Sequence, residues 1–141
     1  MFDKYLVTGA TGFLGRAVAE ELVHRRAQVY ALVLHNDPYI NLLPKEVHTV
    51  IGDVCDESSL ADFFADADGR TCVIHCAGIV SVASRPGSRL YQVNVGCTTG
   101  TCAVTSSLWL STGFGCVLGS LLSSCGPAAA RDRTATGRSK P

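Results

Sequence analysis

From residue 1 to about residue 95, short β-branched runs alternate with charged amphipathic stretches. This is the signature of strands alternating with helices in an α/β sheet. Lys4–Thr8 (KYLVT) predicts a first strand. Phe13–Arg26 predicts a helix with Leu14, Ala17, Val18 and Leu22 on one face. Gln28–Leu34 (QVYALVL) is almost continuously apolar, as a strand covered on both sides should be. The following HNDPYINLLPKE reads as a loop, because Pro38 and Pro44 exclude regular helix around them. Val47–Ile51 predicts a third strand, and Glu57–Ala65 a short helix with Asp56 or Ser58 as its cap. Thr71–Cys76 predicts a fourth strand. From Arg89 another helix is expected, with Leu90, Val93 and Cys97 sharing a face.

Past Val95 the pattern is lost. No charged residue lies between Arg89 and Arg131, and the segment is dominated by Ser, Thr, Gly and Cys. A helix on the surface of a soluble domain would carry a charged outer face there. Three regions are therefore expected: an ordered α/β unit over 1–98, an uncharged segment over 99–130, and a basic disordered tail over 131–141. Residues 104–126 have about the length of the ~20 residues a membrane helix needs. Eight of these positions are Ser or Thr and four are Gly, which opposes insertion, so a membrane partner is not expected.

Charge changes the picture only by exclusion. Twelve basic and twelve acidic side chains cancel, so no global field gathers nucleic acid or anionic lipid. The seven cysteines are odd in number and irregularly spaced, and MFDKYLVTG lacks the apolar core of a secretion signal. Reduced thiols and a cytoplasmic setting are expected. Cys72-x3-Cys76 and Cys97-x4-Cys102 do not have the spacing of zinc ligand pairs.

The chemistry-bearing stretch is VTGATGFLG, with Gly9, Gly12 and Gly15 between a predicted strand and a predicted helix. In that context Gly9 serves the tight exit from the strand. Gly12 lets backbone approach a pyrophosphate, and Gly15 lets the helix pack closely on the sheet. Phosphates would meet the amide groups and positive dipole end of the helix that starts near Phe13.

With its surroundings, this stretch resembles the extended short-chain dehydrogenase/reductases, also called the NAD-dependent epimerase/dehydratase family. Thr8–Gly15 meets that family's T-G-x-x-G-x-x-G spacing, and Gly52, Asp53 and Val54 match its acidic turn after the third strand. His75, Cys76, Ala77 and Gly78 match the end of its fourth strand, and Val93 to Thr98 (VNVGCT) match its V-N-x-x-G-T segment. The resemblance runs to about Thr98. It implies a Rossmann-type parallel sheet with helices on both faces, here truncated after the fourth strand and following helix. It also implies a dinucleotide held by Gly9, Thr11, Gly12, Phe13, Leu14, Gly15, Asp53, Val54, Cys76, Ala77, Gly78 and Asn94. Structural roles compete with these for Asp53 as a turn cap and Asn94 as an anchor for the fourth strand, and His75 reads as a packed core histidine rather than a catalyst. Cofactor choice depends on the end of the second strand, where Leu34, His35, Asn36 and Asp37 supply an acid slightly late and no arginine. That favours NAD over NADP.

Family catalysis depends on a Tyr-x-x-x-Lys pair, in which the lysine lowers the tyrosine pKa for proton exchange with the substrate. Four residues after Tyr5, Tyr30, Tyr39 and Tyr91 stand Gly9, Leu34, Leu43 and Val95, so the pair is missing. The sequence thus reads as an NAD(P)-binding oxidoreductase or epimerase by descent, truncated or frameshifted after about residue 97 and inactive alone. The alternatives are a non-catalytic NAD(P)-binding module acting through a partner and a small protein tethered to a membrane by residues 104–126. A half-built sheet would also leave an open strand edge through which copies could self-associate. The frameshift expectation is checked on the encoding DNA: another reading frame past codon 96 should encode strand-forming segments and a Tyr-x-x-x-Lys, and finding neither overturns it.

Overall fold

The computed structural model describes residues 2–79, 88–101, 103 and 115–118. Its centre is strand β1 (Lys4–Thr8), whose consecutive side chains serve two different cores. Leu6 points into a cluster with Leu32, Leu60, Phe63, Phe64 and Val73. Val7 points the other way, into a cluster with Ala19, Leu22, Val29, Ala31 and Val33. Strand β2 (Gln28–Val33) splits in the same manner, with Leu32 in the first cluster and Val29, Ala31 and Val33 in the second. Alternation with period two, apolar from Val29 to Val33, explains why QVYALV is unbroken by charge: both faces of the sheet are covered.

Strands β3 (His48–Ile51), β4 (Thr71–His75) and β5 (Gly115–Leu118) complete a five-stranded sheet of order β3-β2-β1-β4-β5, with every pairing parallel. The expected parallel α/β sheet is present, and it runs one strand further than expected. β5 pairs with β4 in register from Cys72↔Gly115 to His75↔Leu118. A run of four residues inside an uncharged stretch carries too little periodicity to be recognised in advance.

Helix α1 (Phe13–His24) covers one face. Its buried residues are Gly15, Ala19 and Leu22, at helical spacing, whereas Leu14 is 54% exposed and Ala17 is also exposed. Of the expected face, Leu22 is buried and Val18 packs against the core, whereas Leu14 and Ala17 face outward, because small residues at 15 and 19 let the helix approach the sheet. α1 ends with Arg26 at φ 60° and with amide bonds from Arg26 to Val23 O and from Ala27 to Leu22 O. These are the paired bonds of a Schellman C-cap.

Helix α2 (Glu57–Phe64) covers the opposite face with Leu60, Phe63 and Phe64. Its N-cap is Asp56, whose side chain accepts the Ser58 amide. The hydroxyls of Ser59 and Ser58 also donate to this carboxylate and hold its pKa below the usual range. Helix α3 (Ser88–Tyr91) continues into a π-helical turn, Gln92–Cys97.

Seven reduced thiols were the expectation, and the structure departs from it. Cys55 and Cys97 form a disulfide with a Cα–Cα distance of 4.7 Å across a sequence separation of 42. Nothing in linear spacing announces this contact, since the sheet brings the turn after β3 beside the turn after α3. Among the described residues no helix is long and apolar enough to cross a membrane. Most of the 104–126 segment and all of the 131–141 tail lie outside the described residues.

A polar chain crosses the interior. His75, 1% exposed, links through Nδ1 to Thr8 Oγ1 at 2.7 Å and through Nε2 to Thr98 Oγ1 at 3.1 Å. It is the packed core histidine expected from the sequence. A neutral imidazole needs one donor and one acceptor, and two hydroxyls satisfy either tautomer. Burial depresses the His75 pKa below 6.5 by penalising the charged form. The unfolded chain therefore takes up a proton that the folded chain refuses. Stability should be fully present above about pH 6.5 and fall as pH is lowered toward the depressed folded value, by at most about 1.4 kcal/mol per pH unit for this one proton. Urea denaturation between pH 5 and 7.5 should show this slope, and His75→Gln should remove it.

Candidate cofactor-binding site

The chain runs outward from β1 through β2 to β3, then returns to place β4 on the other side of β1. At such a reversal the loops leaving the carboxyl ends of the two central strands diverge and open a crevice. Here the crevice is a cavity of about 500 Å³. Each of the first four strands contributes to its wall: Gly9, Thr11 and Gly12 after β1, Asp37 after β2, Asp53 and Val54 after β3, and Cys76, Ala77 and Gly78 after β4.

The three glycines of the first turn do different jobs. Gly9 has φ +67°, and a Cβ there would stand 2.5 Å from Ala77 N. A Cβ on Gly15 would stand 2.1 Å from Gly9 O. Both positions are closed to any side chain by backbone, which cannot move aside cheaply. Gly12 is different: it is exposed, and an added Cβ would meet only Gly9 O at 3.3 Å. Its lack of a side chain keeps the mouth of the crevice open. Gly12 is also the N-cap of α1, without a side-chain cap, and the amides that follow it lack intrahelical acceptors. Phe13 begins this first turn with 90% of its surface exposed.

Asp37 is brought in by the backbone. Asn36 adopts φ 60° and turns the chain back, and Asp37 Oδ2 then accepts Thr11 Oγ1 at 2.7 Å while Oδ1 accepts the Tyr39 amide at 2.9 Å. Asp53 lines the cavity and also caps its own turn, accepting the Cys55 amide at 2.9 Å. Burial raises the pKa of the Cys76 thiol, which disfavours its thiolate. Asn94 works from behind the wall: Oδ1 accepts the Ile79 amide at 2.7 Å, and Nδ2 donates to Ile79 O at 2.8 Å. It fixes the strip after β4 as a backbone substitute would.

Of the residues expected at the site, Gly9, Thr11, Gly12, Asp53, Val54, Cys76, Ala77 and Gly78 line the cavity. Phe13 and Leu14 lie at the helix start, Gly15 beneath it, and Asn94 behind. Arg89, Gln92 and Cys55 line the cavity as well and were not anticipated. Arg89 and Gln92 carry no local signal, since only the packing of α3 brings them there.

The model of the NAD-dependent epimerase/dehydratase family matches residues 5–113. The chain belongs to this family. The match extends beyond Thr98, where the quoted motifs end. Over 98 residues this family member is 36% identical to 3 beta-hydroxysteroid dehydrogenase type 7 of Homo sapiens, covering 64% of this chain and 26% of that protein. The chain thus spans about a quarter of the length of the curated relatives it matches first, at 26% of each. It is also similar to the UDP-glucose 4-epimerase of Thermus thermophilus, solved in complex with NAD. The TM-score is 0.65 at 24% identity, over 74% of this chain and 34% of that one. A short-chain dehydrogenase of Burkholderia cenocepacia J2315, solved in complex with NADP, gives a TM-score of 0.66 at 24% identity, over 83% and 52% of the two chains. These two structures share its fold.

The glycine geometry makes an ordered prediction. Gly15→Ala forces backbone apart and should destabilise by about 1–3 kcal/mol, whereas Gly12→Ala should change stability by less than about 1 kcal/mol. Chemical denaturation of the two variants should show this order.

Proposed function

We propose that this family member binds a nicotinamide dinucleotide, with NAD preferred, and holds it without turning over a substrate. The open mouth at Gly12, beside the amides of a helix start, carries the reading: a pyrophosphate fits where a side chain would block it. The turn at Gly9, Thr11 and Gly12 and the amides of Phe13 and Leu14 would hold the phosphates, with Gly15 keeping the helix close. Asp53 and Val54 would meet the adenine, and Cys76, Ala77 and Gly78 would form the floor along the middle of the dinucleotide. Asn94 would position that floor through Ile79.

The preference for NAD rests on Asp37. Its carboxylate, oriented by Thr11 and Tyr39, suits a ribose 2′-hydroxyl and repels a 2′-phosphate. A bound nicotinamide supplies hydride exchange. The proton that must accompany it has no Tyr-x-x-x-Lys carrier here, because none of the four tyrosines has a lysine four residues on. Turnover would require residues from outside this sequence.

Calorimetric titration tests the proposal. NAD should bind at least about tenfold more tightly than NADP, a difference of about 1.4 kcal/mol. Asp37→Ala should narrow the gap, and Gly12→Val should abolish binding while the melting transition persists. Equal or tighter binding of NADP overturns the preference, and no binding of either dinucleotide at millimolar concentration overturns the function.

A further inference from the structure

The Cys55–Cys97 disulfide joins two walls of the cavity. Cys55 follows directly on Asp53 and Val54 and lines the cavity itself. Cys97 ends the π-helical turn that begins with the cavity-lining residues Gln92 and Val93. The bridge therefore sets the separation between the turn after β3 and the turn after α3. The two ends differ in access: Cys55 is exposed, whereas Cys97 is 7% exposed.

We infer that Cys55–Cys97 is a reversible thiol–disulfide site that couples the redox state of the chain to dinucleotide affinity. The inference rests on the dinucleotide reading of the cavity. In the reducing direction, a thiolate of a small dithiol attacks the sulfur of exposed Cys55 and expels Cys97 as a thiolate. The second thiol of the reagent then displaces Cys55 from the mixed disulfide. The reagent leaves as its own disulfide, having given two electrons and two protons to the protein thiols. A small-molecule disulfide reverses the exchange by accepting them.

Reduction removes the covalent tie between the two walls, so binding must then order them at its own expense and weakens. Cys76 also lines the cavity, as a free thiol outside the bridge.

The experiment uses the full chain, purified without reductant. Alkylation and tryptic mapping come first: residues 46–70 contain Cys55 as their one cysteine, so this peptide reports whether Cys55 is bridged, and fragmentation of any linked pair places the other end. It should be linked to the peptide containing Cys97 before dithiothreitol and alkylated after it. NAD titration before and after dithiothreitol should then show at least about a fivefold loss of affinity, the low end of the usual range for coupled sites. Cys55→Ser, an exposed substitution, should bind like the reduced protein and no longer respond to dithiothreitol. A Cys55 that alkylates without prior reduction overturns the inference, as does equal affinity in the two redox states. Linked peptides with no NAD binding in either state overturn the dinucleotide reading, and the coupling with it.

Discussion

Three stretches of backbone meet at Gly9, and the rest of the site depends on that approach. Carbonyl and Cα atoms of the turn after β1 lie where a Cβ of Gly15 would be, and the Ala77 amide lies where a Cβ of Gly9 would be. These contacts set how close α1 comes to the sheet and how far apart β1 and β4 stand as they leave it. Because backbone cannot rotate out of the way as a side chain can, the spacing is stiff. The cavity inherits its shape from that stiffness, and the exposed Gly12 keeps its entrance clear.

Polar groups then link the strands to the third helix. The buried Thr8–His75–Thr98 chain ties β1, β4 and the end of the α3 segment through hydroxyls that satisfy either imidazole tautomer. Asn94 binds both the amide and the carbonyl of Ile79, just past the end of β4. Buried polar groups without such partners would be costly, so each of these contacts selects one arrangement among the packings that the apolar faces alone would tolerate. The Cys55–Cys97 bridge adds a covalent tie between this same α3 segment and the turn after β3.

Where a segment spans both cores, its linear pattern was a good guide. KYLVT, QVYALV and TCVIH formed parallel strands because their apolar positions match two covered faces. The buried face of α1 was less legible: Leu14 reads as a core residue, yet the close approach permitted by Gly15 and Ala19 turns it outward. Asp37 looked displaced because counting residues from a strand end ignores a turn such as the one at Asn36, with φ 60°. GCVL, embedded in uncharged sequence, gave no contrast between faces from which a strand could be read, and its partner β4 is far away in the chain.

Local spacing alone determined the glycine turn after β1, the first four strands and the absence of a Tyr-x-x-x-Lys pair, because each is written in residues a few positions apart. Tertiary structure decided the rest: that β4 crosses to the far side of β1, that β5 extends the sheet, that Asp37 turns into the cavity and that Cys55 meets Cys97. Those features depend on contacts between residues distant in the chain. The free energy of such contacts comes from shared burial and backbone pairing, which periodicity within a single segment does not encode.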